Sequence, residues 1–464
     1  MPSFLRTRGN KILRPDDSEI FLRGLCLGGW LMQENFITGF PGTEQEFRKT
    51  LASKAGQKRA SHYFNTFLCS FIREEDIVFI KSLGATVVRV PFNYRHFKTG
   101  KIRGKGRFDT KGFLHLDRVI QYCREHQLYA ILDMHAVPGH QNADWHSDNY
   151  FNVSFFWQEQ FYQEEFMRLW EFIAAHYRNE PAVAGYDLMN EPVLDDKDAG
   201  HILNRIYRET VKRIRRIDRH HIIFLKGNLW GQDFSGFEPP FTDNLVYSCH
   251  FYSRLAGKGL TYPKKINGKL YNRSAMEKEM DSRDWFVKKY NTPMWVGEFG
   301  AEFTAPDKTR YKINLLDDQI SLFQERGYSW TLWTYKDINH MSLVHTDPSS
   351  EYMKFIAPVT RAKVRLGCDL WHSSGLEFQN LVDRVVRYAG PDFSASREKL
   401  RFEIIRGLGQ VFSRSLLDRL AARISGLTEP GIKRILSSFL IRECVVRKEL
   451  SRLLKEKLRQ GDGA

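Results

Sequence analysis

The sequence predicts an α/β protein built as a (β/α)8 TIM barrel with a C-terminal basic helical extension. Three observations carry that expectation: eight short β-rich runs, mostly helical segments between them, and polar residues gathered where those runs finish. Eight is the number at which a parallel sheet with crossover helices closes on itself. A doubly wound open sheet would want Gly-x-Gly-x-x-Gly after its first strand, which Gly28-Gly29-Trp30 does not supply. The 464 residues suit one barrel, which takes roughly 250 residues before insertions, plus an appendage.

The first strand is expected at 20–27, followed by a long excursion to about Cys69 and an amphipathic helix over 73–83. The β-branched run 86–90 is the second strand, stopped by Pro91, because proline cannot donate to a ladder. A helix over 114–126 leads to the third run, 128–132, which ends in Asp133-Met134-His135. A long helix over 155–177 precedes the fourth strand, 183–189, and helical spacing at 202–217 precedes the fifth, 221–225. The sixth run, 245–249, opens into His250-Phe251-Tyr252. A basic insertion at 258–269 and a helix to about Tyr290 lead to the seventh, 293–296, ending in Gly297-Glu298-Phe299-Gly300. Helix 315–326 precedes the eighth, 328–332, which ends in Trp333.

Beyond about Pro358 the strand signal fades. Apolar residues recur at helical spacing over 376–388, 397–408, 416–424, 432–440 and 444–458, broken by Gly390-Pro391, Gly426 and Glu429-Pro430-Gly431. The organisation expected is a catalytic barrel over 1–360 with a long first loop, then an eighth barrel helix and helical extension over 361–464.

A net charge of +15 raises the question of an anionic partner, nucleic acid or membrane surface. Much of the charge alternates with Leu and Ile in the C-terminal tract, the pattern of a solvated helix face. Packing against the barrel ranks ahead of an oligomer contact or an anionic surface for these helices. No apolar segment reaches the roughly 18 residues that span a bilayer, and residues 1–14 lack the apolar centre of a secretory signal, so a cytoplasmic chain is expected. The six cysteines stand singly, as reduced and mostly buried thiols would.

Strand ends of a barrel converge on one mouth, so what they carry is the test. The second carries Arg89, the third His135, the fourth Asn190 and Glu191, the sixth His250 and Tyr252, the seventh Glu298 and the eighth Trp333. Two carboxylates across a barrel mouth are what glycosidic bond cleavage needs: one protonates the leaving oxygen, the other attacks or activates water at the anomeric carbon. Arg89 suits a nucleophile at Glu298, and the histidines suit an acid/base at Glu191. His135, His140, Asp144, His146 and Asp148 form no metal-ligand spacing, and the chemistry needs no metal or cofactor.

These motifs resemble glycoside hydrolase family five, the cellulase and exo-glucanase group. The resemblance lies in Val-Val-Arg-Val-Pro-Phe-Asn around Arg89, Leu-Asp-Met-His around His135, Asn190-Glu191-Pro192, His250-Phe251-Tyr252, Gly-Glu-Phe-Gly around Glu298, and Trp-Thr-Leu-Trp ending at Trp333. It runs from about Ile20 to Tyr335. It implies a retaining double displacement on a β-linked sugar, with carboxylates roughly 5 Å apart. Asn190 would bond the sugar 2-hydroxyl and His135 other hydroxyls. Arg89 and Tyr252 would orient the nucleophile, His250 would belong to the same substrate-binding shell, and Trp333 would floor the subsite by stacking. Pro138-Gly139-His140-Gln141-Asn142 resembles a loop of the exo-β-1,3-glucanase branch, which implies sugar contacts from Gln141, Asn142 and Trp145.

That branch usually carries a secretion signal and paired cysteines. Their absence from this sequence favours an intracellular enzyme trimming oligosaccharides or glycosides, exo-acting if the excursion over 35–69 and the insertion over 258–269 close the cleft. β-Mannosidase and transglycosidase activities are alternatives on the same scaffold. The rivals of another class are a non-catalytic carbohydrate-binding barrel and an anionic-surface binder using the basic helices.

Overall fold

The computed structural model describes residues 2–98, 108–257, 259–368, 376–393 and 396–460. Eight parallel strands close into a barrel: β1 (Arg23–Cys26), β2 (Val87–Asn93), β3 (Tyr129–Ala136), β4 (Val183–Asp187), β5 (Ile222–Lys226), β6 (Leu245–His250), β7 (Met294–Glu298) and β8 (Ser329–Leu332). Each pairs with its successor, and β8 closes on β1 through Trp330–Arg23, Thr331–Gly24 and Leu332–Leu25.

All eight strands overlap the runs the sequence places them in, but their ends differ: β3 runs on to Ala136, β4 ends at Asp187, and β2 does not stop at Pro91 but continues to Asn93. The Asn93 amide donates back to the Leu31 carbonyl, on the β1 side. Two residues earlier Pro91 therefore turns its missing N–H to the same side, where β1 has already ended at Cys26. Pro91 forfeits no ladder bond.

The β1–β2 excursion holds α1 (Glu44–Ala55), α2 (Gln57–Phe71) and α3 (Glu74–Ser82). The barrel layer continues with α4 (Phe113–Glu125), α5 (Gln160–Tyr177), α6 (Ala199–Arg215), α7 (Arg273–Tyr290), α8 (Thr309–Glu325) and α9 (Glu351–Leu366). The helix expected over 155–177 is interrupted at Glu159, whose backbone is extended, so a short turn at Phe155–Gln158 precedes α5. Between β5 and β6 there is only a four-residue helical turn, Asn228–Gly231, in which Leu229 and Trp230 carry positive φ. The basic insertion is a hairpin, Lys264–Ile266 with Lys269–Tyr271, turned at Asn267-Gly268, both at positive φ as a tight hairpin requires. Lys258 of that insertion lies outside the described residues.

After α9 come α10 (Leu376–Ala389), α11 (Arg397–Ser425), α12 (Glu429–Leu436) and α13 (Lys448–Arg459). The separate helices expected over 397–408 and 416–424 are one continuous α11. A Cβ on Gly409, at their junction, would sit 2.9 Å from the Gly367 carbonyl, so this position lets the helix pass close to the end of α9. Of the helix expected over 444–458, Cys444–Val446 is instead a strand pairing with Val344–Thr346, as its β-branched residues favour.

The barrel interior toward the strand starts is filled by apolar side chains, among them Leu22, Val87, Ile131, Phe224 and Trp295. A second core surrounds the barrel and continues without a break into the C-terminal helices through Leu416, Leu420, Ile432, Leu450 and Leu454. Those apolar residues are covered, while Lys433, Arg434 and Lys455 face solvent, as do Leu381 and Tyr388 of α10 and Val411 of α11. No described helix is long and apolar enough to cross a membrane.

Candidate active site

The open end of the barrel holds a cavity of about 390 Å³. Glu191, Glu298, His135, His250, Tyr252 and Trp333 line it from strand ends, with Trp145 from the β3 loop. One carboxylate oxygen each of Glu191 and Glu298 and one His250 ring nitrogen lie within 4.8 Å of one another.

Glu298 leaves β7 into a fixed cradle. Arg89 Nη1 donates to its Oε1 at 2.5 Å and the Tyr252 hydroxyl to its Oε2 at 2.9 Å. Arg89 is wholly buried under the cavity floor. It reaches Asp133 at 3.0 Å and Asp187 at 3.2 Å, and donates from Nη2 to Asn190 Oδ1 at 2.8 Å. Burial opposes its charge, but Asp133, Glu298 and Asp187 together hold the guanidinium well above its ordinary value. Burial, then the neighbouring charges of Glu298 and Glu191, raise the Tyr252 phenol well above its ordinary value, so it stays a donor.

Glu191 stands on strained backbone, with φ at 41°. Its neighbours over-determine that conformation. Asn142 Nδ2 donates to the Glu191 carbonyl at 2.9 Å, Gln141 Nε2 to the Asn190 carbonyl at 2.7 Å, and the Val193 amide to the Gln141 carbonyl at 3.0 Å. Asn142 and Gln141 are thus buried braces under the Asn-Glu-Pro turn and are not part of the cavity wall. Sugar contacts are expected of both from the sequence; in the structure their side-chain amides are engaged with the turn. Of the loop residues expected to touch sugar, Trp145 does line the cavity.

Both carboxylate oxygens of Glu191 meet a histidine. Lys226 Nζ, buried and also bonded to Asp187 at 3.0 Å, donates to His250 Nε2 at 2.8 Å. The ring proton of neutral His250 is therefore on Nδ1, which donates to Glu191 Oε1 at 2.6 Å. Burial, opposed by Glu298 and assisted by Lys226 and Arg89, keeps His250 well below its ordinary value. On the other oxygen, His146 Nε2 lies 3.0 Å from Glu191 Oε2. Burial works against charge on His146, but the hydrogen bond and charge of Glu191, with Asp144 and Glu34, raise it.

His135 stacks flat on Trp333, ring centroids 5.4 Å apart. Burial opposes its charge, yet Asp133, bonded to Nδ1 at 2.7 Å, and Glu34, 3.4 Å from Nε2, push it up to about 10. Trp333 in turn needs Gly28, where a Cβ would stand 2.5 Å from the indole.

Sequence reasoning singled out neither Lys226 nor Glu34 and gave His146 no role toward Glu191. Lys226 ends β5, which with β1 is one of the two barrel strands for which no polar terminus was noted. Glu34 interrupts an apolar run just after the first strand and lines the cavity, where burial raises its carboxyl. The insertion over 258–269 supplies no lining residue among those described; the wall is completed by Trp230 and Gln232 after β5 and by Phe402 of α11. Glu191, His250 and Glu298 are spaced closely enough to hold a cation. The Lys226 ammonium, 2.8 Å behind His250, already supplies positive charge there and repels a second cation.

This arrangement suits acid/base and nucleophilic work on a small, partly apolar ligand, and comparison with known proteins agrees. The family model for cellulase (glycosyl hydrolase family 5) matches residues 49–339. A beta-xylosidase of Phanerodontia chrysosporium is 32% identical over 475 residues, covering 98% of each chain. Endoglucanase C of Acetivibrio thermocellus is 26% identical over 355 residues, 69% of this chain and 92% of that one. Among solved structures, an endogalactoceramidase superposes with a TM-score of 0.54 at 19% identity, covering 73% of this chain and 75% of its own. Thermotoga maritima Cel5A in complex with mannotriose gives 0.50 at 19% identity, covering 68% and 90%. At such identities these likenesses bear on the fold. The family match over most of the barrel, joined to end-to-end kinship with a glycosidase, decides the matter: this chain belongs to glycosyl hydrolase family 5 and is an O-glycosyl hydrolase.

Proposed function

We propose that the enzyme is a retaining β-glycosidase that releases a terminal β-linked sugar by double displacement. The observation that carries this reading is the closeness of the two carboxylates, within 4.8 Å by their nearest oxygens. Retaining enzymes hold their carboxyl groups about 5–5.5 Å apart, whereas inverting ones leave about 6.5–9.5 Å for a water. Glu298, steered by Arg89 and Tyr252, attacks the anomeric carbon while Glu191 protonates the departing oxygen. Glu191 then takes a proton from the water that opens the glycosyl-enzyme. In this reading Asn190, held by Arg89 and bonded to His135 beneath the cavity lining, bonds the sugar 2-hydroxyl, and Trp333 stacks on the ring.

A terminal position for the cleaved sugar is supported by the modest size of the cavity, about 390 Å³, within the range of small-ligand pockets. It is supported too by the end-to-end alignment with a protein named for xylosidase activity. We take β-glucosides and β-xylosides as the substrate candidates. They share their ring hydroxyl arrangement and differ by one hydroxymethyl group, so aryl β-glucoside and β-xyloside assayed side by side, with β-mannoside and β-galactoside as controls, name the sugar. Proton NMR of the preferred substrate is expected to show the β-anomer first. Initial release of the α-anomer would overturn retention, and random internal cuts in a labelled oligosaccharide would overturn exo action.

A further inference from the structure

The acid/base carboxylate marks the side on which a leaving group departs, because it must reach the departing oxygen. Around Glu191 the contacts run outward in one direction. His146 meets Glu191 Oε2, and the Trp145 ring packs edge-on against His146 with centroids 5.8 Å apart. Next in the chain, Asp144 is buried and has both oxygens engaged: Oδ2 accepts from Trp230 Nε1 at 3.0 Å, and Oδ1 from Arg406 Nη2 at 2.7 Å. Arg406 belongs to α11, and its guanidinium lies 4.6 Å from the ring centre of Phe402, which lines the same cavity. A second clamp holds α11 in place, two reciprocal amide hydrogen bonds between Asn152 and Gln410 at 2.9 and 3.0 Å.

Three aromatic rings, from the β3 loop, the β5–β6 loop and the C-terminal extension, therefore wall the space beyond the acid/base. The acceptor oxygens among them are already used, while Trp145 Nε1 and Arg406 Nε keep no hydrogen-bond partner among the described residues. Asp144 is spent on its two partners, and Gln232 Oε1 accepts from Arg283 at 3.0 Å. A sugar in this space would need hydrogen-bonding groups for its hydroxyls, whereas an apolar group needs only the rings. Trp230 is held there at positive φ, 60°, with Leu229 at 51° before it, backbone strain of the kind that persists where a side chain must be aimed.

We propose that Trp145, Trp230 and Phe402 form a leaving-group subsite for an apolar aglycone, aryl or long alkyl, and that α11 is the specificity element that builds its outer wall. The inference rests on the β-glycosidase reading, with Glu191 as acid/base. The test compares three substrates carrying the sugar preferred in the panel above: the octyl β-glycoside, the corresponding β-linked disaccharide, whose alcohol leaving group is of similar ability, and the β-glycosyl fluoride, which has no aglycone. The wild-type enzyme is expected to favour the octyl glycoside over the disaccharide by at least about tenfold in kcat/KM. Phe402→Ala and Arg406→Ala are each expected to lose at least about tenfold more on the octyl glycoside than on the fluoride. A wild-type preference for the disaccharide, or variants that lose equally on octyl glycoside and fluoride, would overturn the subsite while leaving the glycosidase reading intact. Failure of the wild-type enzyme to hydrolyse the fluoride would instead overturn the glycosidase reading.

Discussion

Glu191 and Glu298 sit close together but in different company, and their variants should separate accordingly. Glu298→Ala removes the nucleophile and is expected to cut kcat on every aryl β-glycoside by at least about 10³-fold. Glu191→Ala should spare substrates with good leaving groups, such as dinitrophenyl glycosides, far more than alkyl glycosides, because a departing phenolate needs little protonation. Steady-state assays on the two substrate classes check both. Lys226 acts one step further back, as a positioning residue. It fixes the His250 tautomer that donates to Glu191 and helps hold that ring neutral. Lys226→Met is expected to lower kcat/KM roughly 10–100-fold, in the range of outer partners that orient a working group. It should also move the acidic limb of the pH–rate profile to higher pH, since His250 then protonates more readily. A loss of activity with an unmoved profile would reduce Lys226 to structural support.

Among the elements, the β3 loop contributes most. Residues 141–146 brace the Asn-Glu-Pro turn from below with two amides, hold Glu191 from the side with His146, and anchor the outer wall through Asp144. The brace answers a local problem, because Glu191 at positive φ before Pro192 is a conformation few chains adopt unaided. Asn142→Ala leaves the buried Glu191 carbonyl without its donor. It is expected to cost roughly 1–3 kcal/mol of stability and, by loosening the acid/base, roughly tenfold in kcat with little change in KM. Urea unfolding and steady-state kinetics on the same preparation read both effects.

The whole molecule folds as a barrel whose outer core extends into the C-terminal helices, so those helices support stability as well as the cavity wall. Leu454 of α13 is completely buried in that shared core. Leu454→Ala is expected to cost about 2–5 kcal/mol in urea unfolding. A value near zero would mean that the extension folds independently of the barrel. The pH dependence of stability follows from several buried histidines. Burial is the first cause holding His96 and His115 down to about 4 and His250 well below its ordinary value. Between pH 6.5 and about 4 the unfolded chain binds protons that the folded chain refuses, so stability is intact above pH 6.5 and falls as the solution is acidified through that window. His135, raised to about 10, has the opposite sign: its contribution is full below pH 6.5 and is lost as pH rises through about 10. Urea midpoints between pH 4 and 10 are expected to show both flanks.

Strand positions were legible in the sequence because a barrel strand buried on both faces must be a short, nearly continuous apolar run. A polar residue where such a run ends has few explanations besides the mouth. That reasoning located Arg89, His135, Glu191, His250, Tyr252, Glu298 and Trp333 by residue type and place alone. Lys226 escaped because one lysine at a strand end has the look of a solvated terminus; only the closed barrel buries it against Asp187 and His250. Asn142 and Gln141 looked like cavity residues because polar side chains in a mouth loop usually face ligand, and the strain at Glu191 that claims them is a backbone dihedral no sequence pattern displays. Phe402 and Arg406, more than 200 residues from Glu191 in the chain, read as one more helix face. The sequence by itself determined the barrel, the paired carboxylates and the chemistry they suit, because these follow from periodicity and from residue type at strand ends. Only the tertiary structure decided which side chains brace the site and which wall it, because that depends on long-range packing that brings the C-terminal helix over the barrel mouth.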